Sequence, residues 1–389
     1  MNKNEILKIY GKNYKAMTQA LLKEADLSAM VKKDMRIGIK PNLVSPTPAE
    51  FGATTHPEVV EALVEYLLAA GHTDITIIEG SWVGDKTADA YEYCGYRALC
   101  EKYNIPFVDT QKDTWHSVDC RGMDINICDA LSGIDFLINV PVLKGHGQTR
   151  MTCALKNMKG LIPNSEKRLF HKRGLHEPIA HLNTAIRPDF ILVDHICGDL
   201  TFEDGGNPVE TDCLFAVLDP VLCDAYGCAL MGIALDEVPY IGMAEKLEVG
   251  SSDLNHANLI SYSWEDSENK ALKLSEHAAA MEDKLEPFRK PEDKLLDVKF
   301  AVEEVESCSA CHGALLPALV KIRDQGQLDE LMDILGGKIS IGQGYRKMAG
   351  SFGIGACCSG FEKNVTGCPP DSQDIYDALM EIIEQKGYT

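Results

Sequence analysis

The chain has 389 residues, 45% hydrophobic and 25% charged, with 59 acidic against 38 basic side chains and a formal net charge of −21. This is the composition of a globular protein, and the length calls for two domains instead of one core. So acidic a chain repels phosphate backbones, which argues against nucleic acid as a partner, and no run nears the roughly 18 apolar residues that a membrane span needs.

Residues 5–30 read as a helix, ahead of a first strand at 35–40 that Pro41 and Asn42 close. Thr55-His56-Pro57 has the form of a helix start, and the following helix repeats Val59, Leu63, Tyr66, Leu67 and Ala70 at helical spacing until Gly71. A second strand at 74–80 completes a βαβ unit, the building block of a parallel sheet. The alternation continues with a helical stretch over 85–102, a short strand at 105–109 and an uninterrupted apolar strand at 135–141. A helical region over 150–187 carries a polar interruption near 163–174; a buried strand at 190–194 and a helix over 219–233 closed by Gly232 follow. Residues 246–295 are charged and read as a helical connector. Beyond them come helices over 308–325, 327–335 and 371–385 and a strand at 338–341. The expected organisation is an α/β core domain over 1–245 with a mostly parallel sheet and flanking helices, the connector, and a smaller α/β cysteine-rich domain over 296–389.

Five of the fourteen cysteines fall in that last domain: Cys308, Cys311, Cys357, Cys358 and Cys368. Cys308 and Cys311 form a C-x-x-C at a helix start, where the helix dipole favours thiolate. Cys357 and Cys358 sit in a glycine-bounded loop that lets backbone approach a sulfide cage, and Cys368 is stiffened by two prolines. This donor set points to a 4Fe–4S cluster, with structural zinc as the alternative; neighbouring side chains diverge, so one member of the adjacent pair, Cys357 for preference, is the expected ligand. Cys308 to His312 also spells C-x-x-C-H, the attachment signature of covalent haem, but that chemistry needs export and the opening residues show no export signal. The cysteine content suits a reducing compartment, so a cytoplasmic location is expected.

In an open parallel sheet, functional groups collect just beyond the carboxyl ends of the strands. Lys40, Asn42, Glu79, Lys144, His146, Asp194 and His195 all follow apolar strand runs in this way. Lys144, His146 and Lys156 are the candidates for chemistry, since a lysine at a strand end serves as anion binder, base or covalent tether. Lys40, Asn42, Asn157 and Asp194 are the candidates for ligand binding, and the expected ligand is a small anionic metabolite or cofactor with Lys144 as its main charge contact. His171, His176 and His181 recur at intervals of five, which does not align them on one helix face. The basic cluster of Lys167, Arg168, Lys172 and Arg173 around His171 reads as a solvated loop, with a small-anion site as the alternative.

Lys40-Pro41-Asn42, His56-Pro57-Glu58, Asn139 to Lys144, Lys156 to Gly160 and Asp219 to Asp224, in this order and spacing, together resemble the domain of unknown function 362 family over roughly residues 35–245. Many members carry an attached ferredoxin-like cluster module, so the resemblance implies a cluster here, although no C-x-x-C-x-x-C-x-x-x-C run occurs. Val365 to Pro370 is similar to a ligand segment in the small cluster subunit of complex I and nickel–iron hydrogenases. The expected function is that of an iron–sulfur redox protein acting on or binding a small anion and served by a redox partner protein. A metal- or cofactor-dependent isomerase or lyase, and a carrier of cluster or metal to a client protein, are the alternatives.

Overall fold

The computed structural model describes residues 1–200, 203–274, 296–307 and 309–386. It forms two compact units, Met1–Pro291 and Glu292–Thr389. In the first, β1 (Glu5–Tyr10), β2 (Ile37–Pro41), β3 (Ile75–Glu79) and β4 (Phe107–Asp109) precede a hairpin of β5 (Trp115–Asp119) and β6 (Asp124–Cys128). After β7 (Phe136–Val140) comes a second hairpin, β8 (Lys144–His146) with β9 (Arg150–Thr152), and then β10 (Phe190–Asp199), β11 (Pro208–Val217), β12 (Asn258–Glu265) and β13 (Lys270–Lys273). Nine of these make one sheet in the order β13-β12-β1-β11-β10-β7-β2-β3-β4. The run from β10 to β4 is parallel throughout, and β11 is the antiparallel strand that joins it to β1.

Every residue of β2 and β7 is buried, as helices on both faces of a parallel sheet require. Successive residues drop into different apolar clusters: Ile6 against Leu7, Leu137 against Ile138, Ile191 against Leu192. This is the two-residue period of a strand between two packed layers. The helix Pro57–Ala69 begins as its sequence implies, with proline in the first turn after His56, and buries Val59, Val60, Leu63, Val64 and Leu67.

Three expectations are corrected. Residues 5–10 are not helix but a strand inside the sheet, with Ile6 paired to Val217 on one side and Leu259 on the other. Ile6, Leu7 and Ile9 are compatible with either period over so short a run, and pairing on both edges decides it. The buried Lys8 is accommodated because its Nζ donates to Tyr226 Oη at 3.0 Å; helix begins later, at Tyr14–Glu24, where the Asn13 side chain accepts from Ala16 N. The stretch 246–295 is not a helical connector: it supplies β12, paired between β1 and β13, and the edge strand β13, whose polar residues suit a sheet edge, while residues 275–295 lie outside the described ones. The polar segment near 163–174 is not a loop but the helix Asn164–Arg173, entered through Pro163.

In the second unit β14 (Val302–Glu304), β15 (Ile339–Ile341), β16 (Phe352–Ile354) and β17 (Lys363–Val365) run parallel in that order. Helices Ser309–Asp324, Leu328–Leu335 and Ser372–Lys386 share a core with them that includes Leu315, Leu319, Ile341, Ile354, Ile375 and Leu379. Between β15 and β17 the connections hold single 3₁₀ turns, Gln343–Tyr345 and Ala356–Cys358, in place of crossover helices.

The placement of β1 is testable. Leu7→Ala and Ile9→Ala remove fully packed side chains from one sheet face, so each should lower the unfolding free energy in urea by about 2–5 kcal/mol. Lys3→Ala, on an exposed residue, should leave it within about 0.5 kcal/mol.

Candidate functional site

Beyond the carboxyl ends of β2 and β3 the first unit encloses a cavity of about 90 Å³. Its wall includes Lys40, Asn42, Glu79, Gly80, Ser81 and Trp82 from the two strand ends, and Thr152, Lys156, Asn157, Lys159, Gly160, Lys167 and His171 from the segments after β9. Four lysines and one glutamate therefore line it, in a chain whose overall charge is −21.

At its floor lies a buried ion pair. Lys40 Nζ meets Glu79 Oε2 at 2.6 Å and also donates to Pro41 O at 2.7 Å and Asn157 Oδ1 at 3.3 Å. The carboxylate is satisfied in turn by Leu43 N at 3.0 Å and Gly80 N at 2.6 Å. Gly160 covers the pair so closely that a Cβ there would run into Glu79 Oε1 and lie 2.6 Å from Lys40 Nζ. Amide side chains extend the network: Asn42 Nδ2 donates to Asn157 Oδ1 at 2.9 Å, Asn157 Nδ2 to Asn139 Oδ1 at 2.7 Å, and Asn139 Nδ2 to Ala154 O at 3.0 Å. These bonds fix the short helix Ala154–Asn157, and with it Lys156, against the end of β7.

Lys167 and Lys156 are less fully compensated. Lys167, 4% exposed, donates to Gly80 O at 2.9 Å and Ser81 O at 2.7 Å, which are carbonyls and not carboxylates. Burial pulls its pKa down to about 8 against the attraction of Glu79. Lys156 donates to Thr152 Oγ1 at 3.1 Å and is likewise pulled down to about 8 by burial, against Glu203 and Asp204. His171, hydrogen-bonded through Nδ1 to Gln148 Oε1 at 3.1 Å, is held far below the usual imidazole range by burial and by Lys159 and Lys156. An anion entering this space meets ammonium groups whose charge the protein only partly neutralises.

Of the candidate residues, Lys40, Asn42, Asn157 and Lys156 line the cavity together. Lys144 does not line it. Its Nζ donates to Ala53 O, to Glu203 O at 2.8 Å and to Asn42 Oδ1 at 3.3 Å, which uses the three donors of an ammonium inside the fold. His146 is equally enclosed: Nδ1 accepts from Gln148 N and Thr149 N, both at 3.1 Å, and Nε2 faces Glu203 Oε1 at 3.3 Å. Asp194 lies elsewhere, bonded through Oδ2 to His56 N at 2.7 Å and His56 Nδ1 at 2.8 Å. The lysines that line the cavity are thus Lys40, Lys156, Lys159 and Lys167, and Lys144 is not among them. Sequence reading singled out Lys40 and Lys156 among these and missed the other two; the Lys167 cluster had been noticed, but burial of one face of the helix Asn164–Arg173 is a tertiary event.

In the second unit the cysteine segments meet at Gly355, whose φ of +89° needs glycine and whose Cβ position lies 3.2 Å from Cys311 Sγ and 3.6 Å from Gly367 O. Ala356 N donates to Gly367 O at 2.7 Å, which brings the backbone before Cys357 beside the backbone before Cys368. Asn364 Nδ2 braces the loop through Gly353 O at 3.1 Å and Gly355 O at 3.0 Å. Cys357 is half-buried and Cys368 exposed, whereas Cys358 is fully buried and reaches Ser340 O at 3.4 Å. Cys308 lies outside the described residues, immediately before the helix Ser309–Asp324 that carries Cys311. His312 of the C-x-x-C-H run is bonded to Glu304 Oε2 at 2.7 Å. The donor chemistry is compatible with a metal or cluster cofactor.

Residues 37–229 match the family model described as Domain of unknown function (DUF362). A thylakoid-associated protein of Synechocystis sp. is 26% identical over 193 residues, 47% of this chain and 57% of the relative, so the match spans little more than half of that protein. Among solved structures, the lactate racemase apoprotein from Thermoanaerobacterium thermosaccharolyticum is similar over 59% of this chain and 57% of that chain, at 15% identity and a TM-score of 0.38. None of the described helices is long and apolar enough to cross a membrane.

The floor of the cavity yields a prediction. Glu79→Gln leaves a buried ammonium without its counter-charge and should cost about 3–5 kcal/mol of unfolding free energy in urea. The double change Lys40→Met, Glu79→Gln should recover more than half of that loss, because the charge that needs compensation is gone.

Proposed function

Since residues 37–229 make this chain a member of the DUF362 family, whose description assigns no chemistry, we propose a function from the site itself: the first unit binds a small, multiply charged oxyanion, and the second holds an iron–sulfur cluster that makes the chain a redox protein. The observation that carries the reading is the cavity of about 90 Å³ with four lysines and one glutamate in its wall. That volume suits a phosphate-sized or short carboxylate ligand, and Lys156 and Lys167 bring the charge that such an anion would neutralise. Asn157 and the Lys40–Glu79 pair position the wall and remain fixed.

For the cluster, Cys311, Cys357 and Cys368 are the ligands favoured by the convergence on Gly355, with Cys308, three positions before Cys311 in the sequence, as the fourth. Cys358, turned into the core, packs beneath them. A bound cluster supplies one-electron transfer, which a redox partner protein would feed or drain. Buried free thiols throughout the first unit suit a reducing, cytoplasmic setting. A second reading, a proton-moving isomerase or lyase, is favoured by one observation: Lys156, with its pKa near 8, stands beside the neutral His171 and can accept a proton in the cavity.

Two measurements test the proposal. Titration calorimetry with inorganic phosphate should show one site on the first unit, weakened at least tenfold by Lys156→Gln or Lys167→Met in variants whose circular dichroism is unchanged. The sign of its pH dependence follows from both ammonium groups having pKa values near 8. Below that pH they are charged and binding is full. Above it a proton must be taken up with the anion, so affinity falls by up to about tenfold per pH unit for each lysine. The neighbours that set these values are Glu203 and Asp204 for Lys156, and Glu79, Lys40, Cys128 and Asp109 for Lys167. Affinity that is flat or rising between pH 7 and 9 contradicts the assignment.

Separately, anaerobically purified chain should carry about four irons, as a single 4Fe–4S cluster requires. Serine at 308, 311, 357 or 368 should abolish the iron, and Cys358→Ser should retain it. Stoichiometric zinc in place of iron rejects the cluster and leaves the anion site standing.

A further inference from the structure

Behind the cavity wall the first unit buries a second donor set. Cys153 immediately precedes the helix Ala154–Asn157, and Cys223 and Asp224 lie on the helix Pro220–Met231 packed against it. All three side chains are fully buried, and one ligand atom from each falls within 4.8 Å of the others. Cys153 Sγ and Cys223 Sγ stand 3.9 Å apart. Two thiolates bound tetrahedrally to zinc at about 2.3 Å place their sulfurs about 3.8 Å apart, so the pair already has nearly the spacing that the ion requires.

The carboxylate completes the argument. Asp224 Oδ1 accepts from Ala154 N at 2.7 Å, and Leu155 N lies 3.4 Å from Oδ1 and 3.3 Å from Oδ2, which holds the group on the side of the two sulfurs. Among the described residues it makes no ion pair, and the groups around it are thiols, backbone N–H groups and the Tyr240 hydroxyl.

We propose that Cys153, Cys223 and Asp224 form a buried site for a thiophilic divalent cation, zinc above all, that ties the segment carrying Lys156 and Asn157 to the helix Pro220–Met231. Two sulfur donors with one carboxylate match the preference of zinc and exclude magnesium and calcium, which take oxygen. Binding replaces two thiol protons with the dication, so two protons leave to solvent, along with the carboxyl proton where Asp224 is still protonated. The site is structural. It acts through the start of the segment, since Cys153 lies between Thr152 of the cavity wall and the helix Ala154–Asn157.

The experiment uses the full chain with Cys308, Cys311, Cys357 and Cys368 changed to serine, so that the second unit keeps only the buried Cys358. Expressed with zinc, this chain should retain about one zinc after dialysis, and the zinc should be lost in Cys153→Ala and Cys223→Ala. Zinc-edge X-ray absorption should show two sulfurs at about 2.3 Å and oxygen at about 2.0–2.2 Å. The absorption measurement needs no change to the proposed ligands, so it decides the matter even where an alanine variant does not fold. Absence of retained zinc, a coordination shell without sulfur, or a Cys153–Cys223 disulfide found by mass spectrometry would overturn the proposal.

Discussion

The buried pair between Lys40 and Glu79, 2.6 Å apart, is the interaction on which the first unit's site depends. It joins the ends of β2 and β3, neighbouring parallel strands, and ties both to Asn157 of the following segment through a 3.3 Å bond. An ion pair in the interior gives little net stability, because desolvation consumes most of the attraction. What it confers is geometry. Glu79 also accepts from two backbone N–H groups in the turns above it, so those turns cannot move without stranding a charge. Gly160 then seals the pair, since any side chain there would collide with it.

From that floor the electrostatics of the cavity follow. Glu79 is already committed to Lys40, and so it compensates Lys167 only at a distance. Lys167 and Lys156 find a carbonyl or hydroxyl as their nearest partner. The chain as a whole is strongly acidic, so a cavity lined by four lysines and one glutamate departs sharply from its surroundings. For the proposed anion site this contrast would favour small ligands, since long-range repulsion discourages polyanions while a small anion in the cavity would gain contacts in a medium that screens them weakly.

Much of this architecture was legible in the sequence, and the exceptions have physical causes. The βαβ opening, the buried strand ending at Val140 and the helix closed by Gly232 are written in apolar period and end signals, which local physics enforces. The strand Glu5–Tyr10 was hidden because six residues are too few to separate the two periods, and its partners lie more than 200 residues away. Lys40 and Asn42 were read from their place after a strand, Lys156 and Asn157 from the segment that follows, and all four line the cavity. Lys144 misled for the same reason: it too follows a strand, but the chain turns back into the hairpin of β8 and β9 and carries its ammonium into the carbonyls of Ala53 and Glu203. Lys167 lies on a helix whose sequence is almost uniformly polar, and no pattern marks which of its charges is to be buried. In the second unit the cysteine spacing was visible, whereas the meeting of three segments at Gly355 needs the parallel ladder of β15, β16 and β17.

The central claim, that the first unit's cavity is built for a small oxyanion, is tested most directly by diffraction from crystals soaked in selenate below pH 7, with data collected at the selenium edge. The account predicts one strong anomalous peak between Lys156 and Lys167, with selenium within about 4 Å of both Nζ atoms and selenate oxygens within hydrogen-bond distance of them, and with the Lys40–Glu79 pair intact beneath it. A cavity that holds only water under these conditions, or selenate bound solely at surface lysines, would contradict it.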